Sequence, residues 1–310
     1  MTLDNAFHLP VLLRETITGL AVARNKKYID ATLGGGGHSL EIIKSGGVLL
    51  GIDQDIEAII YFTKLLNINN LQSLLGKKIF LVQENFVHLK KIAEKNGFKQ
   101  ISGILFDLGV SSYQISTSSR GFSYLETQEL DMRMDQRTSL TAKDIINKFK
   151  AEELYEIFTA YSEELHSRTI ADAIIRARAL KKIITGSDLV EILKNIINKI
   201  NPGMPDYKFE KLLHKTSARI FQALRIRVNN ELDNLKIALD EALNLLGFDG
   251  RLAVISYHSL EDRIVKIKFR EWERRDKVKM INRQPILASE IEQQSNRKSR
   301  SAKLRIVAKL

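Results

Sequence analysis

The feature that most constrains the fold is a series of short apolar runs that alternate with amphipathic stretches. Four strand-like runs lie at residues 27–33, 47–53, 78–84 and 101–108. Each run is too apolar for a strand with one face in water, which is typical of strands covered on both faces. Amphipathic stretches between such runs indicate helical crossovers. This part of the chain therefore predicts an α/β fold built on a parallel sheet.

A helical pattern replaces the strand signal between about residues 140 and 213. Apolar residues from Leu154 to Tyr161 recur at helical spacing, and a second set from Leu189 to Ile200 repeats it. Ser187 is the predicted N-cap of the second helix because its hydroxyl can accept a hydrogen bond from the first turn. This region therefore predicts a helical insertion.

Strand signals return after one further helix. A long helix is predicted from about residue 217 to 246, a strand at 251–259, and an edge strand in the closing segment KLRIVAKL. We therefore predict an α/β domain formed by residues 1–118 and 214–310, and an inserted helical domain formed by residues 119–213.

Four consecutive glycines follow the first predicted strand, in the sequence YIDATLGGGGHS. A nucleotide at the carboxyl edge of a parallel sheet needs a close approach by this turn, where a Cβ would collide with the ligand. The dinucleotide pattern G-x-G-x-x-G fails, because Ser39 and Leu40 stand where its last glycine belongs. Asp53 ends the second strand and can accept both ribose hydroxyls. Adenosine without pyrophosphate fits best, as in S-adenosylmethionine; a tight turn without a ligand is the alternative.

Two further strand ends reach the same predicted edge. Asp107 follows the fourth strand, where a carboxylate can face the methionine part or the adenine amine of the ligand, and Gln114 lies on the loop beyond it. Phe86 follows the third strand, where its ring can stack on adenine. The alternatives are a helix cap for Asp107, a surface position for Gln114 and a core position for Phe86.

The net charge of +11 is concentrated toward the C-terminus, where residues 262–310 hold 15 Lys and Arg against 6 Asp and Glu. A polyanionic partner or a solvated basic segment accounts for this excess. The chain has no cysteine, which excludes disulfides and thiol chemistry, and its six histidines show no metal-ligand spacing. The opening MTLDNAFHLPVLLRETI predicts neither a secretory signal nor a membrane span, so a cytoplasmic protein is expected.

Several motifs, in order along nearly the whole chain, resemble one known family. They are DATLGGGGHS, GIDQD, FDLGVSSYQ, RGFSY, LDMRMD, FQALRIRVNNEL, GRLAVISYHSLEDRIVK and RSAKLR. The chain resembles the RsmH/MraW family of bacterial 16S ribosomal RNA (cytosine-N(4))-methyltransferases. The resemblance implies a Rossmann-like class I S-adenosylmethionine methyltransferase sheet with an inserted all-helical domain for substrate recognition. It further implies methylation of the exocyclic N(4) amine of a cytosine in the decoding centre of the small ribosomal subunit.

The resemblance also implies particular cofactor contacts. By position these are Gly36, Gly37, His38, Asp53, Phe86, Asp107 and Gln114. Two departures from the family pattern stand out. Tyr113 occupies a position where the family usually has proline, and the segment TSARIFQ begins at Thr216 in place of P-A-T-R-T-F-Q. The first departure bears on the Gln114 loop.

Methylation of this amine needs a group that orients it and accepts its proton. The Asp/Asn-Pro-Pro-aromatic turn of many amino-methyltransferases is absent, and DLGV stands in its place. The candidates are Asp107, His258 and the LDMRMD segment with Asp131, Arg133 and Asp135; a structural histidine is the alternative for His258. Phosphate contacts are predicted at Arg133, Arg225, Arg227, Arg263, Arg297, Arg300 and Arg305.

Two other functions compete with ribosomal RNA methylation. One is a methyltransferase that acts on a small molecule or a protein, which has no need of the basic C-terminal segment. The other is a non-enzymatic ribosome-assembly protein that binds RNA and keeps a vestigial nucleotide pocket. The predicted partners are 16S ribosomal RNA within the small subunit and no membrane, and a homodimer is left open.

Overall fold

The computed structural model of the protein describes residues 10–110, 120–124 and 127–310. The chain divides into two compact units, an α/β unit formed by 1–111 and 232–310 and a helical unit formed by 112–231. The expected second segment of the α/β domain began at 214. That position lies inside the helix Asp206–Asn229, and the segment begins instead at Leu232. Gln114 and Tyr113 lie outside the described residues.

The α/β unit is organised around a seven-stranded sheet. Its strands are β1 (Lys27–Asp30), β2 (Val48–Asp53), β3 (Ile79–Gln83), β4 (Ile101–Asp107), β5 (Leu246–Ser256), β6 (Val278–Met280) and β7 (Lys303–Lys309). Their order is β3-β2-β1-β4-β5-β7-β6. Strands β1 to β5 pair in parallel, whereas β7 is antiparallel to both of its neighbours. The predicted α/β class and the first five predicted strands are therefore confirmed.

Helices connect the strands and build the second unit. In chain order they are α1 (Leu13–Gly19), α2 (Gly37–Lys44), α3 (Ile56–Ile68), α4 (Leu89–Lys95), α5 (Ala142–Lys148), α6 (Ala151–Ser162), α7 (Ser167–Leu180), α8 (Gly186–Ile200), α9 (Asp206–Asn229), α10 (Glu231–Leu245), α11 (Ser259–Arg274) and α12 (Glu290–Ser295). Helices α5 to α9 belong to the helical unit. None of the helices in the described residues is both long and apolar enough to cross a membrane.

The central strands are buried on both faces, as their composition predicted. In β2, the side chains of Leu50 and Ile52 join one hydrophobic cluster, and that of Leu49 joins a second cluster. All three side chains are fully buried. Alternate residues of a strand point to opposite faces, so the two clusters lie on opposite sides of the sheet. Burial on both sides explains why these runs are continuously apolar.

The C-terminal strand is not an edge strand, contrary to the prediction. Strand β7 lies between β5 and β6, and the edge is formed by β6, which has three residues. A strand this short leaves almost no periodic signal in the sequence. The core of β7, from Leu304 to Ala308, is nevertheless mostly apolar, as is typical of an interior strand, and these residues are buried.

The predicted helix from 217 to 246 is two helices, α9 and α10. The break lies at Asn230, whose φ of 51° places it in the left-handed region. Asparagine tolerates this conformation better than most residues, so it can end a helix without a glycine. The N-cap of α8 also differs from the prediction. Thr185, not Ser187, accepts the hydrogen bond from the Asp188 N–H and forms a capping box with that residue.

Candidate functional site

The glycine-rich turn joins β1 to α2 at the carboxyl edge of the sheet. Gly34 and Gly36 have φ values of 48° and 73°, in the left-handed region that favours glycine. A Cβ on Gly36 would lie 2.0 Å from Cδ2 of Phe62, and one on Gly37 would lie 2.8 Å from Cγ of Pro10. The close packing of the protein's own side chains is therefore sufficient to require glycine at these two positions. The cofactor contacts of Gly36 and Gly37 stay predictions.

Gly34 is the open position of this turn. The nearest atom to a Cβ built on Gly34 is the Thr32 carbonyl oxygen, at 3.8 Å. The Gly34 N–H donates to Oδ2 of Asp53 over 2.8 Å, so the turn is held against the end of β2. The turn thus presents backbone rather than side chains at this point, as a nucleotide site requires.

Asp53 is the acidic residue that ends β2. Its Oδ2 accepts from Gly34, and its Oδ1 accepts from the Asp55 N–H over 2.9 Å. A carboxylate oxygen has a second lone pair, so each oxygen keeps capacity for a ribose hydroxyl. Desolvation by burial raises the pKa of Asp53 to about 7, against the opposing effect of these two hydrogen bonds. The carboxylate is therefore poised to gain from a ligand that brings hydrogen-bond donors or positive charge.

His38 and Asp30 lie beneath the turn rather than at its surface. The side chain of His38 is buried, and its Nε2 lies 3.0 Å from the Val11 carbonyl oxygen. Since a carbonyl only accepts, Nε2 carries the hydrogen and the Nδ1 lone pair faces Oδ2 of Asp107, 3.6 Å away. Burial lowers the pKa of His38 and raises that of Asp30, which accepts from the Ser39 hydroxyl. His38 therefore supports the site from below as a neutral ring.

Asp107 ends β4 and carries the second carboxylate of the edge. Its Oδ1 accepts a 2.7 Å hydrogen bond from the Tyr257 hydroxyl, and its backbone N–H donates to Oγ1 of Thr32 over 2.6 Å. Desolvation raises the pKa of Asp107 to about 6, while the Tyr257 hydrogen bond and the charge of Lys298 lower it. These three partners, Thr32, Tyr257 and Lys298, were not predicted from the sequence. Tyr257 directly precedes His258 in the ISYHS segment, so its position after a strand was the available signal.

Phe86 follows β3, as predicted, and its ring packs against the core. The ring meets that of Phe106 edge to face, with centroids 5.6 Å apart and planes at 83°. Phe86 is partly buried against the hydrophobic cluster on that face of the sheet. The surroundings of Phe86 are therefore largely those of a core residue, which was the alternative to stacking on adenine. The predicted contact of Gln114 lies outside the described residues.

His258 caps the N-terminus of α11. Its Nδ1 accepts from the Glu261 N–H over 3.4 Å, and its Nε2 lies 3.2 Å from Oε1 of Glu261 without the angles of a hydrogen bond. The buried Glu261 carboxylate also accepts from the Tyr257 N–H. The structural alternative for His258 is therefore observed, because its Nδ1 lone pair is used by the helix.

The LDMRMD segment holds its charges in ion pairs within the helical unit. Arg133 donates to both oxygens of Asp131, over 2.8 and 2.6 Å, and Arg137 pairs in the same way with Asp135. The pKa of Asp131 and that of Asp135 are lowered, with the arginine hydrogen bonds as the stabilising cause. A carboxylate held in this way is a poor proton acceptor.

The predicted phosphate contacts fall into two groups. Arg305 is buried in a bidentate ion pair with Asp262, at 2.7 and 3.2 Å, and cannot offer its guanidinium to a phosphate without breaking that pair. Arg225 is likewise bidentate to Glu231, and Arg227 lies over the ring of Phe149. The exposed members of the set are Arg263, Arg297 and Arg300.

The edge of the sheet has the chemistry that S-adenosylmethionine requires. That molecule carries a sulfonium, an ammonium and two ribose hydroxyls. A carboxylate can attract the two cationic groups and can accept hydrogen bonds from the ammonium and the hydroxyls. Asp53 and Asp107 supply two carboxylates with raised pKa, at the ends of β2 and β4, and Gly34 leaves open space at the adjacent turn. In an open α/β sheet, ligands bind at the carboxyl ends of the strands. The residues present therefore fit this cofactor.

Comparison with known proteins agrees with this interpretation. Among curated relatives, the ribosomal RNA small subunit methyltransferase H of Clostridium botulinum (strain 657) is 41% identical over 98% of this chain and 99% of its own length. The enzyme of the same name from Acetivibrio thermocellus is 42% identical over 98% and 99%. The ribosomal RNA small subunit methyltransferase H 1 of Acholeplasma laidlawii is 43% identical over 97% and 99%.

Solved structures show only a distant likeness. An rRNA methylase from Streptococcus thermophilus has a TM-score of 0.46 and 10% identity, over 98% of this chain and 99% of that chain. A Streptococcus mutans protein in complex with SAH has a TM-score of 0.47 and 13% identity, over 98% and 100%. The assignment of the chain to a family rests on sequence similarity instead. The profile of the MraW methylase family matches residues 5–310. The chain belongs to the MraW methylase family.

Proposed function

We propose that this protein transfers a methyl group from S-adenosylmethionine to the N(4) amine of a cytosine in the decoding centre of small-subunit ribosomal RNA. Membership of a methylase family supports the methyl donor, and relatives at 41–43% identity named for the small-subunit RNA support the substrate. The observation that carries the site is the pair of carboxylates, Asp53 and Asp107, at one edge of the sheet.

The bound cofactor supplies an electrophilic methyl group on a sulfonium. Asp53 would accept the ribose hydroxyls, since both of its oxygens are held in place by backbone N–H groups and keep free lone pairs. This arrangement positions the methyl group without movement of the carboxylate, and orientation of reactants is worth about 7–11 kcal/mol in well-aligned cases.

Asp107 is the proposed contact for the target amine. The lone pair of this amine is delocalised into the cytosine ring, so an acceptor for an amine hydrogen helps the nitrogen to attack. A pKa of about 6 leaves Asp107 as a carboxylate near neutral pH while making it basic enough to share the proton that leaves. His258 is the weaker candidate because its Nδ1 is used in capping α11.

RNA recognition would use the exposed arginines of the α/β unit and surfaces of the helical unit. Arg263, Arg297 and Arg300 are exposed and lie in the basic region between 262 and 310. Phosphate contacts of this kind position RNA, and the target base must leave its stack at a cost of a few kcal/mol. Substrate recognition by the helical unit and a cytoplasmic location are parts of the same proposal.

The decisive experiment uses small ribosomal subunits from a strain that lacks this gene. Purified full-length protein and labelled S-adenosylmethionine should transfer label to the 16S RNA, and mass mapping should place N(4)-methylcytidine in the decoding centre. The same protein should not label a panel of metabolites or total protein. Label on a small molecule or protein instead would establish the competing enzyme. Failure of calorimetry to detect cofactor binding would favour the non-enzymatic assembly protein.

A further inference from the structure

A cavity of about 230 Å³ lies within the helical unit. It is bounded by the turn between α6 and α7, the C-terminal half of α8 and the middle of α9, and none of the proposed cofactor or amine contacts lines it. Pockets for drug-sized ligands are larger, at about 300–1,000 Å³. The volume is therefore matched to one small planar group rather than to an extended molecule.

The walls of the cavity are apolar and well ordered by packing. Ile170, Leu193 and Ile197 line it and are almost fully buried in the hydrophobic core of the helical unit. Ile200 and Leu165 stand at exposed positions of the same lining. An apolar wall that reaches the surface offers a flat group both burial and an entrance.

One buried carboxylate lines this cavity. The side chain of Glu164 is 7% exposed. Its Oε2 lies 3.4 Å from Nη1 of Arg219, and its Oε1 lies 3.4 Å from the backbone N of His166. Both distances exceed the usual range of about 2.7–3.2 Å for an N–H···O hydrogen bond, and a carboxylate has about four acceptor sites. Each oxygen of this buried carboxylate therefore has one protein partner and keeps a lone pair that a further donor can use.

Basic side chains lie at the exposed side of the cavity. Lys215 is an exposed lining residue, and Arg219 is half-buried beside the Glu164 carboxylate, with which it is paired. A lysine at the entrance suits a phosphate, and a carboxylate in the interior suits N–H donors. A single nucleotide presents both, with the flat base inside and the phosphate outside.

We propose that this cavity binds one unstacked guanine of the RNA substrate. Guanine is the base that offers a carboxylate two adjacent donors, N1–H and the N2 amine, and the Arg219 guanidinium supplies a donor for the neighbouring O6. Adenine, cytosine and uracil each present a single N–H donor position on this edge. Sequence-specific RNA recognition generally reads unstacked bases by their Watson–Crick edges in this manner. The inference rests on the proposed function only in taking RNA as the ligand.

The test compares RNAs that differ in one exocyclic amine. Fluorescence anisotropy measures binding of the full-length protein to a labelled five-nucleotide single strand with guanosine at the centre and uridines on either side. The matched strands carry inosine, which lacks the N2 amine, or adenosine. We expect the guanosine strand to bind about tenfold more tightly than the inosine strand, a difference of about 1.4 kcal/mol. Equal affinities for the three strands would overturn the inference.

Protein variants test whether Glu164 causes the preference for guanosine over inosine. Glu164→Gln should bind the guanosine strand about tenfold more weakly and lose the preference over inosine. The neighbouring Glu163, which is exposed and does not line the cavity, provides the control, and Glu163→Gln should behave as wild type. Thermal unfolding verifies that each variant is folded. If Glu164→Gln does not fold, the inosine comparison with the wild-type protein decides.

Photocrosslinking tests independently where on the protein the guanine base binds. A central 6-thioguanosine should crosslink to peptides from the 163–166 turn, α8 or α9, and crosslinks confined to other regions would contradict the proposal. Methyl transfer to small subunits is measured with the same preparation. Transfer without a guanosine preference refutes the cavity assignment alone, whereas a guanosine preference without transfer to cytosine refutes the proposed function alone.

Discussion

Acidic side chains at the ends of strands are the residues on which the proposed site depends. Asp30, Asp53 and Asp107 are the last residues of β1, β2 and β4, and the pKa of each is raised by desolvation. The sequence predicted Asp53 and Asp107, because the carboxyl ends of parallel strands meet at one edge. It could not predict Asp30 or Tyr257, since burial beneath the turn and the hydrogen bond to Asp107 are set by tertiary packing.

The titration of Asp53 predicts pH-dependent cofactor binding. The pKa of about 7 belongs to the free protein, and the charged form is the one that accepts ribose hydroxyls. Protonation below that pKa therefore competes with binding, so the Kd should rise as pH falls, approaching about tenfold per pH unit. Calorimetry between about pH 6 and 8 measures this. Asp53→Asn should weaken binding and flatten the profile, whereas the exposed Asp233→Asn control should not. A constant Kd in the wild type would contradict the assignment.

Tyr257 is predicted to set the titration of Asp107. Its hydroxyl stabilises the carboxylate, so Tyr257→Phe should raise the pKa of Asp107 above its present value of about 6. A hydrogen bond to a charged group contributes about 1.5–3 kcal/mol, which corresponds to about one pH unit or more. The acid limb of the kcat–pH profile should move to higher pH by that amount, with cofactor affinity above about pH 8 unchanged. The exposed Tyr207→Phe variant is the control, and an unmoved limb in Tyr257→Phe would remove this role.

The positions of the helices and strands show which parts of the fold the local sequence is sufficient to predict and which parts it is not. The first four strands were predictable because burial on both faces leaves a continuous apolar run. The interior place of β7 was not, because it depends on pairing with the three-residue β6. The start of α8 was ambiguous between Thr185 and Ser187, and the acidic residue at 188 was the local signal for Thr185.

A pair of alanine variants tests that helix start. Thr185→Ala removes the cap of α8 and should lower the free energy of unfolding by about 1 kcal/mol. Ser187→Ala, at an exposed position inside the helix, should change it by less than about 0.5 kcal/mol. Urea denaturation of the two variants measures the difference. Equal losses would mean that the capping box does not hold the helix end.

At the scale of the whole molecule, the net charge of +11 exaggerates the number of cations available to RNA. The sequence predicted seven arginine contacts without regard to their acidic neighbours. Arg133, Arg225 and Arg305 are each bidentate to a carboxylate within their own unit. Pairing of this kind joins residues as far apart in sequence as 262 and 305, so composition alone could not reveal it. Arg263, Arg297 and Arg300 are the exposed members of the predicted set.

Two classes of arginine variant should therefore behave differently. Arg297→Ala and Arg300→Ala should weaken RNA binding without loss of stability, and each should lower the slope of log K against log salt by about one, because one phosphate is no longer neutralised. Arg305→Ala should instead cost up to about 3–5 kcal/mol of stability, because it leaves the Asp262 carboxylate with only Lys303, 3.5 Å away, as a partner. Filter binding at several salt concentrations and thermal unfolding measure the two effects. A stable Arg305→Ala variant with weakened RNA binding would reverse the assignment.

The interior place of β7 has a consequence for the timing of synthesis. Strands β1 to β5 are translated well before residues 303–309, yet β5 and β6 have no common neighbour until that segment arrives between them. A polypeptide that has not yet added residues 303–309 has nothing to join these two strands. Completion of the sheet therefore waits for β7, and a variant without that segment would lack the strand that holds β6 to the rest of the sheet.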